Sequence, residues 1–294
     1  MGLNLTEYIN EKQLLIEEEI NQQLNKLMIP DQLKESMQYS FTAGGKRIRP
    51  ILLIASYQAF RHDFEKVLTT AVALEMIHTY SLIHDDLPAM DDDDLRRGKP
   101  TNHKVFDEAT AILAGDALLT YSFEIISEDP LLTNEEKVHI SKLLSKASGP
   151  KGMVAGQILD MEAEKSPVTL KKLEEIHTLK TGELLKFGIT AGAYLGQASE
   201  EQQRYLNDFS YYLGLIFQVQ DDILDVTGDE KKLGKPVGSD IDNEKSTYPS
   251  LLGLKGAINK KELYVKEAKT ALKKAELVES YLYLLTDYLT QRDH

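Results

Sequence analysis

From residue 64 to residue 83, apolar side chains fall at positions 64, 67, 68, 71, 72, 74, 76, 77 and 80. That rhythm is the helical one, and the stripe is broad enough for a helix buried on most of its sides. Asp63 stands where it can cap the start. Comparable patterns cover 5–27, 51–60, 103–126, 135–147, 154–164, 170–195, 201–226, 260–275 and 278–290. Strand-like runs that alternate polar and apolar residues between turn signals are absent. Turn residues fall between the helical patterns instead: Pro30, Gly44 with Gly45, Gly98 with Pro100, Pro130, Gly149 with Pro150, Pro167, Gly196, and the stretch 228–238. Helices this long predict an all-α fold, a large bundle around one central cavity, built as a single domain over residues 1–294.

Composition narrows the function. The 294 residues include 34 basic and 47 acidic side chains, a net charge of −13. Phosphate-rich partners want a basic footprint, so neither nucleic acid nor an anionic membrane surface is expected as the main partner. The chain has no cysteine, which excludes a disulfide framework, a thiolate metal site and a cysteine nucleophile. The most apolar stretch, 111–126, is broken by Asp116 and Glu124, so no stable membrane insertion is expected. The opening MGLNLTEYIN has neither the basic nor the apolar region of a signal peptide, and the expected location is the cytoplasm.

Two aspartate clusters stand out. The first runs His84-Asp85-Asp86-Leu87-Pro88-Ala89-Met90-Asp91-Asp92-Asp93-Asp94; the second is Gln218-Val219-Gln220-Asp221-Asp222-Ile223-Leu224-Asp225. Both close an apolar helical pattern, where the negative end of the helix dipole makes carboxylates unwelcome. Compensating cations are therefore expected. Asp221 and Asp225 are four residues apart, so they share a helix face and can hold a hard divalent ion together. Oxygen donors without sulfur or clustered imidazole favour magnesium, calcium or manganese over zinc. Asp91, six residues past Asp85, misses the face of a regular helix, but Pro88 breaks that helix and lets the chain bend Asp91 back toward Asp85. Either cluster alone reads as a solvated helix end; the pair, each behind a buried-type helix, reads as a functional site.

Cations that suit a phosphate lie elsewhere. In Ala43-Gly44-Gly45-Lys46-Arg47-Ile48-Arg49-Pro50 the glycines allow close backbone approach to an anion, and Lys46 and Arg49 add charge. The spacing is not that of a P-loop. Arg96 and Arg97 follow the first acidic cluster and either neutralise it or bind phosphate. His78 lies two turns before Asp85, on the same face. Lys180, followed by Thr181 and Gly182, sits in an apolar helical pattern, where a buried lysine needs an anion. Lys235 and Lys245 belong to a charged loop that also holds Asp240 and Asp242.

Taken together, GGKRIRP, EMIHTYSLIHDDLPAMDDDDLRRGKPTNH, AGQILD, KTG, FQVQDDILD and GSD…NEKSTYPSL resemble the trans-prenyltransferase (polyprenyl synthase) family, above all its bacterial branch that makes a fifteen-carbon product. The likeness runs over essentially the whole chain, in the family's order. It implies a homodimer whose aspartate motifs face each other across a deep cavity. It also implies condensation of isopentenyl diphosphate with an allylic diphosphate, first dimethylallyl and then geranyl, with ten-carbon or longer products as the alternative. Three magnesium ions are implied, manganese serving as a substitute, held by Asp85, Asp91 and Asp221 with Asp86, Asp222 and Asp225 in support. Gly45, Lys46, Arg49, His78 and Arg97 correspond to the isopentenyl diphosphate site. Arg96, Lys180, Thr181, Gln218, Lys235 and Lys245 correspond to the allylic site, with Gln157 and Asp160 lining the metal side. Lys180, Thr181, Asp85, Asp91 and Asp221 are the implied catalytic residues. Tyr80 and Ser81, five and four residues before Asp85, sit about one turn (~5.4 Å) below it and face the growing chain, Tyr80 as its floor. A rival of another class is a non-catalytic helical protein that buffers divalent ions; it leaves the phosphate-type cations unexplained.

Overall fold

The protein, seen in a computed structural model, is described over residues 4–164, 168–228 and 246–292. At its centre stand α3 (Ile48–Gln58) and α4 (Leu68–Asp85). Ile51, Leu52, Leu53 and Ile54 are consecutive and fully buried, as are Ala71, Val72, Ala73 and Leu74, so both helices are enclosed on every side. α10 (Glu183–Leu195) packs on α3 and carries α11 (Glu200–Thr227) behind it; α6 (Glu108–Glu128) packs on α4. Backbones meet closely at Gly192 of α10, where a Cβ would lie 2.3 Å from the Leu53 carbonyl oxygen. α12 (Tyr248–Lys274) lies along α11, and α13 (Tyr281–Gln291) joins these two to α3. The outer layer is made by α1 (Leu5–Lys26), α2 (Asp31–Thr42), the short α5 (Asn102–Val105), α7 (Asn134–Ser148), α8 (Met153–Ala163) and α9 (Leu170–His177). One contiguous apolar core runs through these helices from Tyr8 to Leu289.

The all-α expectation holds, and the differences have local causes. The pattern over 64–83 divides into a 3₁₀ turn, Phe64–Val67, and α4. Asp63 makes no cap: its carboxylate accepts from the Tyr57 hydroxyl at 2.7 Å. The pattern over 103–126 divides into α5 and α6 because Asp107 caps α6, accepting from the Thr110 N–H at 2.7 Å. α2, a helix outside the expected segments, carries Leu33, Met37 and Phe41 at i, i+4 and i+8 behind Pro30. α12 starts well before residue 260, with a capping box between Thr247 and Ser250, and bends at Gly253, whose φ of +70° only glycine adopts freely. The stretch 178–182 is a single π-helical turn between α9 and α10. A two-residue ladder, β1 (Leu95–Arg96) with β2 (Lys99–Pro100), is closed by Arg97 and Gly98, both at positive φ, as a two-residue hairpin requires.

Among the described residues one helix, α6, is long and apolar enough to cross a membrane; half of it is buried within the fold, mainly by α4.

Candidate active site

The first aspartate cluster takes its shape from the end of α4. Asp85 is the last helical residue and Asp86 the cap. Past them the chain turns at Pro88, and the Asp91 N–H donates to the Asp85 carbonyl at 2.9 Å. This is the bend expected from the proline, and it returns Asp91 to Asp85. Asp92, at φ +52°, tightens the same turn. The hairpin that follows swings its two arginines apart. Arg96 reaches back to Asp86, which accepts from Nε at 2.7 Å, and it also lies 3.7 Å from Asp93. Arg97 instead crosses to the glycine turn and donates to the Gly44 carbonyl. Asp85 has no such arginine. Burial is the main reason its carboxyl is pushed up to about 6, Lys180 pulling it down and Asp91 and Asp86 pushing it further up.

The cationic side is built on α3. Gly44 and Gly45 have φ of +82° and +133°, and a Cβ on Gly45 would collide with the Arg97 guanidinium, so the glycine leaves room for that arginine. Arg47 turns inward, where it donates to Glu75 at 2.9 Å and to the Phe41 carbonyl at 2.8 Å. Arg49 faces the site and lies 3.2 Å from His78 Nε2. Its Nε is sealed from solvent without a partner. Burial lowers Arg49 to about 10, with Glu75 and Asp221 opposing and Arg97 adding to the effect. Burial first, and then Arg49, Arg97 and Arg96, hold His78 well below the usual histidine range. Lys46 is half-buried on the same turn and is engaged.

The third wall is the π turn. A Cβ on Gly156 of α8 would lie 2.2 Å from the Lys180 nitrogen, and one on Gly214 of α11 would lie 2.9 Å from the Gly182 Cα. The turn is thus gripped between two backbone contacts that only glycine permits. π turns of this kind frequently mark functional sites. Lys180, expected to need an anion, has one: Asp160, at 2.6 Å. The Thr181 hydroxyl donates to Gln218 at 2.8 Å, tying the turn to α11. These side chains, with His177, Asp222, Ser246 and Thr247, line a cavity of about 170 Å³. On α11, Asp221 meets Arg292 at 2.5 Å, Asp222 accepts from the Tyr248 N–H at 2.9 Å, and Asp225 is buried on the same face.

Each motif feels a cation from another element, Asp85 that of Lys180 and Asp221 that of Arg49. Gln157 and Asp160 lie on α8, half-buried. Tyr80 is buried in α4, edge-on to His84 at 5.8 Å, and Ser81 donates to the His78 carbonyl at 2.9 Å. Lys235 and Lys245 lie outside the described residues. Sequence reasoning passed over Glu75, Arg292 and His177. Glu75 carried a signal, a carboxylate in the middle of an apolar helix; Arg292 carried none, since its partner is distant in the chain.

Residues 30–283 match the family model described as "Polyprenyl synthetase". The chain belongs to that family. It is 50% identical to the farnesyl diphosphate synthase of Bacillus subtilis (strain 168), over 100% of both chains. With the farnesyl diphosphate synthase of Geobacillus stearothermophilus it shares 49% identity over 99% of each. Among solved structures, an apo FPP/GFPP synthase from Zymomonas mobilis superposes with a TM-score of 0.85 at 38% identity, covering 99% of this chain and 100% of that one.

The donor set suits a divalent ion. Asp85, Asp91, Asp221, Asp222 and Asp225 offer only oxygen, the ligand type of hard cations. Among the described residues no three His, Cys, Asp or Glu gather into a closed cage. Magnesium is commonly held by one or two carboxylates plus substrate phosphate oxygens, and open carboxylate motifs fit that division.

Proposed function

We propose that the protein is a farnesyl diphosphate synthase, which condenses isopentenyl diphosphate with dimethylallyl and then geranyl diphosphate. Close relatives of full length carry that activity in their names. One observation carries the reading beyond likeness: an acidic wall with Asp85 held up to about 6 adjoins a cationic wall of Arg49, His78 and Arg97. Two diphosphates, one brought with metal and one without, would satisfy both walls.

In this reading Asp85, Asp91 and Asp221, with Asp86, Asp222 and Asp225 behind them, would hold magnesium, three ions at full occupancy, or manganese in its place. When bound it neutralises the charge that grows on the leaving diphosphate. The protein's own residues do the rest. Arg96, Lys180, Thr181 and Gln218, with Lys235 and Lys245 from outside the described residues, bind the allylic diphosphate. Gly45, Lys46, Arg49, His78 and Arg97 bind isopentenyl diphosphate and aim its double bond. The allylic C–O bond breaks, the electron pair leaves with the diphosphate, and the double bond attacks the cation. A proton is then lost, for which the released diphosphate is a suitable acceptor. Thr181 and the Lys180 carbonyl turn their dipoles toward the cation, and the apolar walls keep water from it. Tyr80 closes the tunnel one turn below the metal and stops growth at fifteen carbons.

The same reading makes the enzyme a cytoplasmic homodimer. Ile112 and Leu113 project from α6 half-exposed, a face that a second copy would cover.

Incubation with both five-carbon diphosphates and magnesium, followed by chromatography, tests the proposal. The expected product is farnesyl diphosphate, abolished by Asp85→Ala and by Asp225→Ala. Metal binding without turnover would return the protein to the ion-buffering reading.

A further inference from the structure

His177 ends α9 and opens the π turn. Its ring is buried and forms part of the wall of the 170 Å³ cavity. The other polar groups there are engaged. Lys180 holds Asp160 at 2.6 Å, Thr181 donates to Gln218 at 2.8 Å, and Asp222 accepts from the Tyr248 N–H at 2.9 Å. Ser246 accepts from the Val168 N–H at 3.4 Å, and Thr247 from the Ser250 N–H at 3.2 Å. Glu164 is engaged as well. His177 differs. Its Nδ1 is sealed from solvent with no hydrogen-bond partner, and its ring leans on Tyr248 with centroids 5.6 Å apart.

A neutral imidazole carries one proton. Burial, opposed by Asp160 and aided by Lys180, lowers His177 to about 4, so the ring is neutral near pH 7. A sealed, partnerless N–H is rarer and costlier than a sealed lone pair. The proton therefore belongs on Nε2, and among the described residues no hydrogen bond is made to it: Asp160, the carboxylate acting on the ring, is held by Lys180. An incoming ligand can supply the acceptor. Beside Lys180 that acceptor is best an anionic oxygen.

We propose that His177 is a further positioning residue of the site, its Nε2–H donating to a phosphate oxygen of the diphosphate that enters between Lys180 and the second aspartate motif. This rests on the function proposed above and adds to it a neutral donor among charged ones. A neutral donor fixes the orientation of the oxygen without adding a charge that would hold the released diphosphate.

The test uses the full-length protein, magnesium and inorganic pyrophosphate. His177→Phe keeps the ring against Tyr248 and removes both nitrogens; His177→Gln restores a donor. Titration calorimetry should show pyrophosphate binding with magnesium weakened about tenfold in His177→Phe, the worth of one hydrogen bond to a charged group. His177→Gln should recover most of that loss, and binding of magnesium alone should be unchanged. Melting of the ligand-free protein supplies the readout a merely structural role would fail: His177→Phe should melt no lower than wild type, because it deletes an unsatisfied buried group. Equal pyrophosphate affinity in wild type and His177→Phe overturns the inference and leaves the enzyme reading intact. A lower melting temperature for ligand-free His177→Phe, or an effect on magnesium alone, also overturns it. Absence of pyrophosphate binding by the wild-type protein overturns the reading of the whole site.

Discussion

Replacing Asp85 by asparagine should stabilise the ligand-free protein while destroying its activity. The carboxyl moves from 3.8 to about 6 on folding, chiefly by burial, which corresponds to roughly 3 kcal/mol at ~1.4 kcal/mol per pH unit. The folded value lies above the unfolded one, so the folded state binds this proton more tightly. Its favourable contribution is complete below about pH 4 and is lost as pH rises through the folded value. Above that the folded protein carries an ionised, poorly solvated carboxylate as a constant penalty. Asparagine has the same shape and does not titrate. Urea denaturation without metal should therefore find Asp85→Asn more stable than wild type by roughly 3 kcal/mol at pH 7.5, and by about 1 kcal/mol at pH 4.5. Magnesium with pyrophosphate should reverse the order, stabilising wild type by mass action and the variant hardly at all. A stability difference that does not change with pH, or a variant less stable than wild type at pH 7.5, would refute the claim that this carboxylate is held at the fold's expense.

Other outcomes are as definite. Gly156→Ala drives a Cβ into the Lys180 backbone, so turnover should fall about a hundredfold in steady-state assays, with a stability loss of roughly 1–3 kcal/mol by denaturation. Glu75→Leu removes the 2.9 Å acceptor of Arg47 and leaves the buried guanidinium only one carboxylate, Glu17, at 3.6 Å; thermal unfolding should show a loss of roughly 3 kcal/mol. Tyr80→Ala would remove the proposed stop to chain growth; chromatography should show prenyl diphosphates longer than fifteen carbons, and an unchanged product refutes that role. Lysines in place of Ile112 and Leu113 should halve the mass measured by light scattering, at near-native helix content.

The parts of the site readable in the sequence are those where one residue's local chemistry dictates geometry. Pro88 ends α4 wherever that helix packs, so the return of Asp91 to Asp85 followed from chain stiffness alone. A lysine among apolar residues had to find an anion, and Asp160 is that anion. The π turn at 178–182 was not readable, because it depends on Gly156 and Gly214 pressing from helices far away in sequence. The Asp221 contact with Arg292 spans 71 residues and rests on where α13 docks. Helix boundaries failed for a smaller reason: Asp107 and Gly253 break patterns whose apolar rhythm continues across the break.

The directions of the shifts explain why such a site does not collapse on itself before substrate arrives. Carboxyls of the first motif are pushed up, while Arg49, Arg97 and His78 are pushed down. Each wall is thus a desolvated cluster of like charge, and direct pairing of the two would relieve both. The backbone forbids most of that pairing. Arg96 does reach the first motif, through Asp86 and Asp93, and Lys104 pairs with Asp94 at its far end, whereas Arg97 is turned the other way by the positive φ of the hairpin and docks on Gly44. Arg49 is fixed in α3 by the close packing of α10, a Cβ on Gly188 lying 3.1 Å from its carbonyl. Lys180 is taken by Asp160. On the function proposed above, the acidic surface would accept a cation-bearing diphosphate and the basic one a bare diphosphate. Electrostatics would then sort the two substrates to their sides before any contact with their hydrocarbon tails.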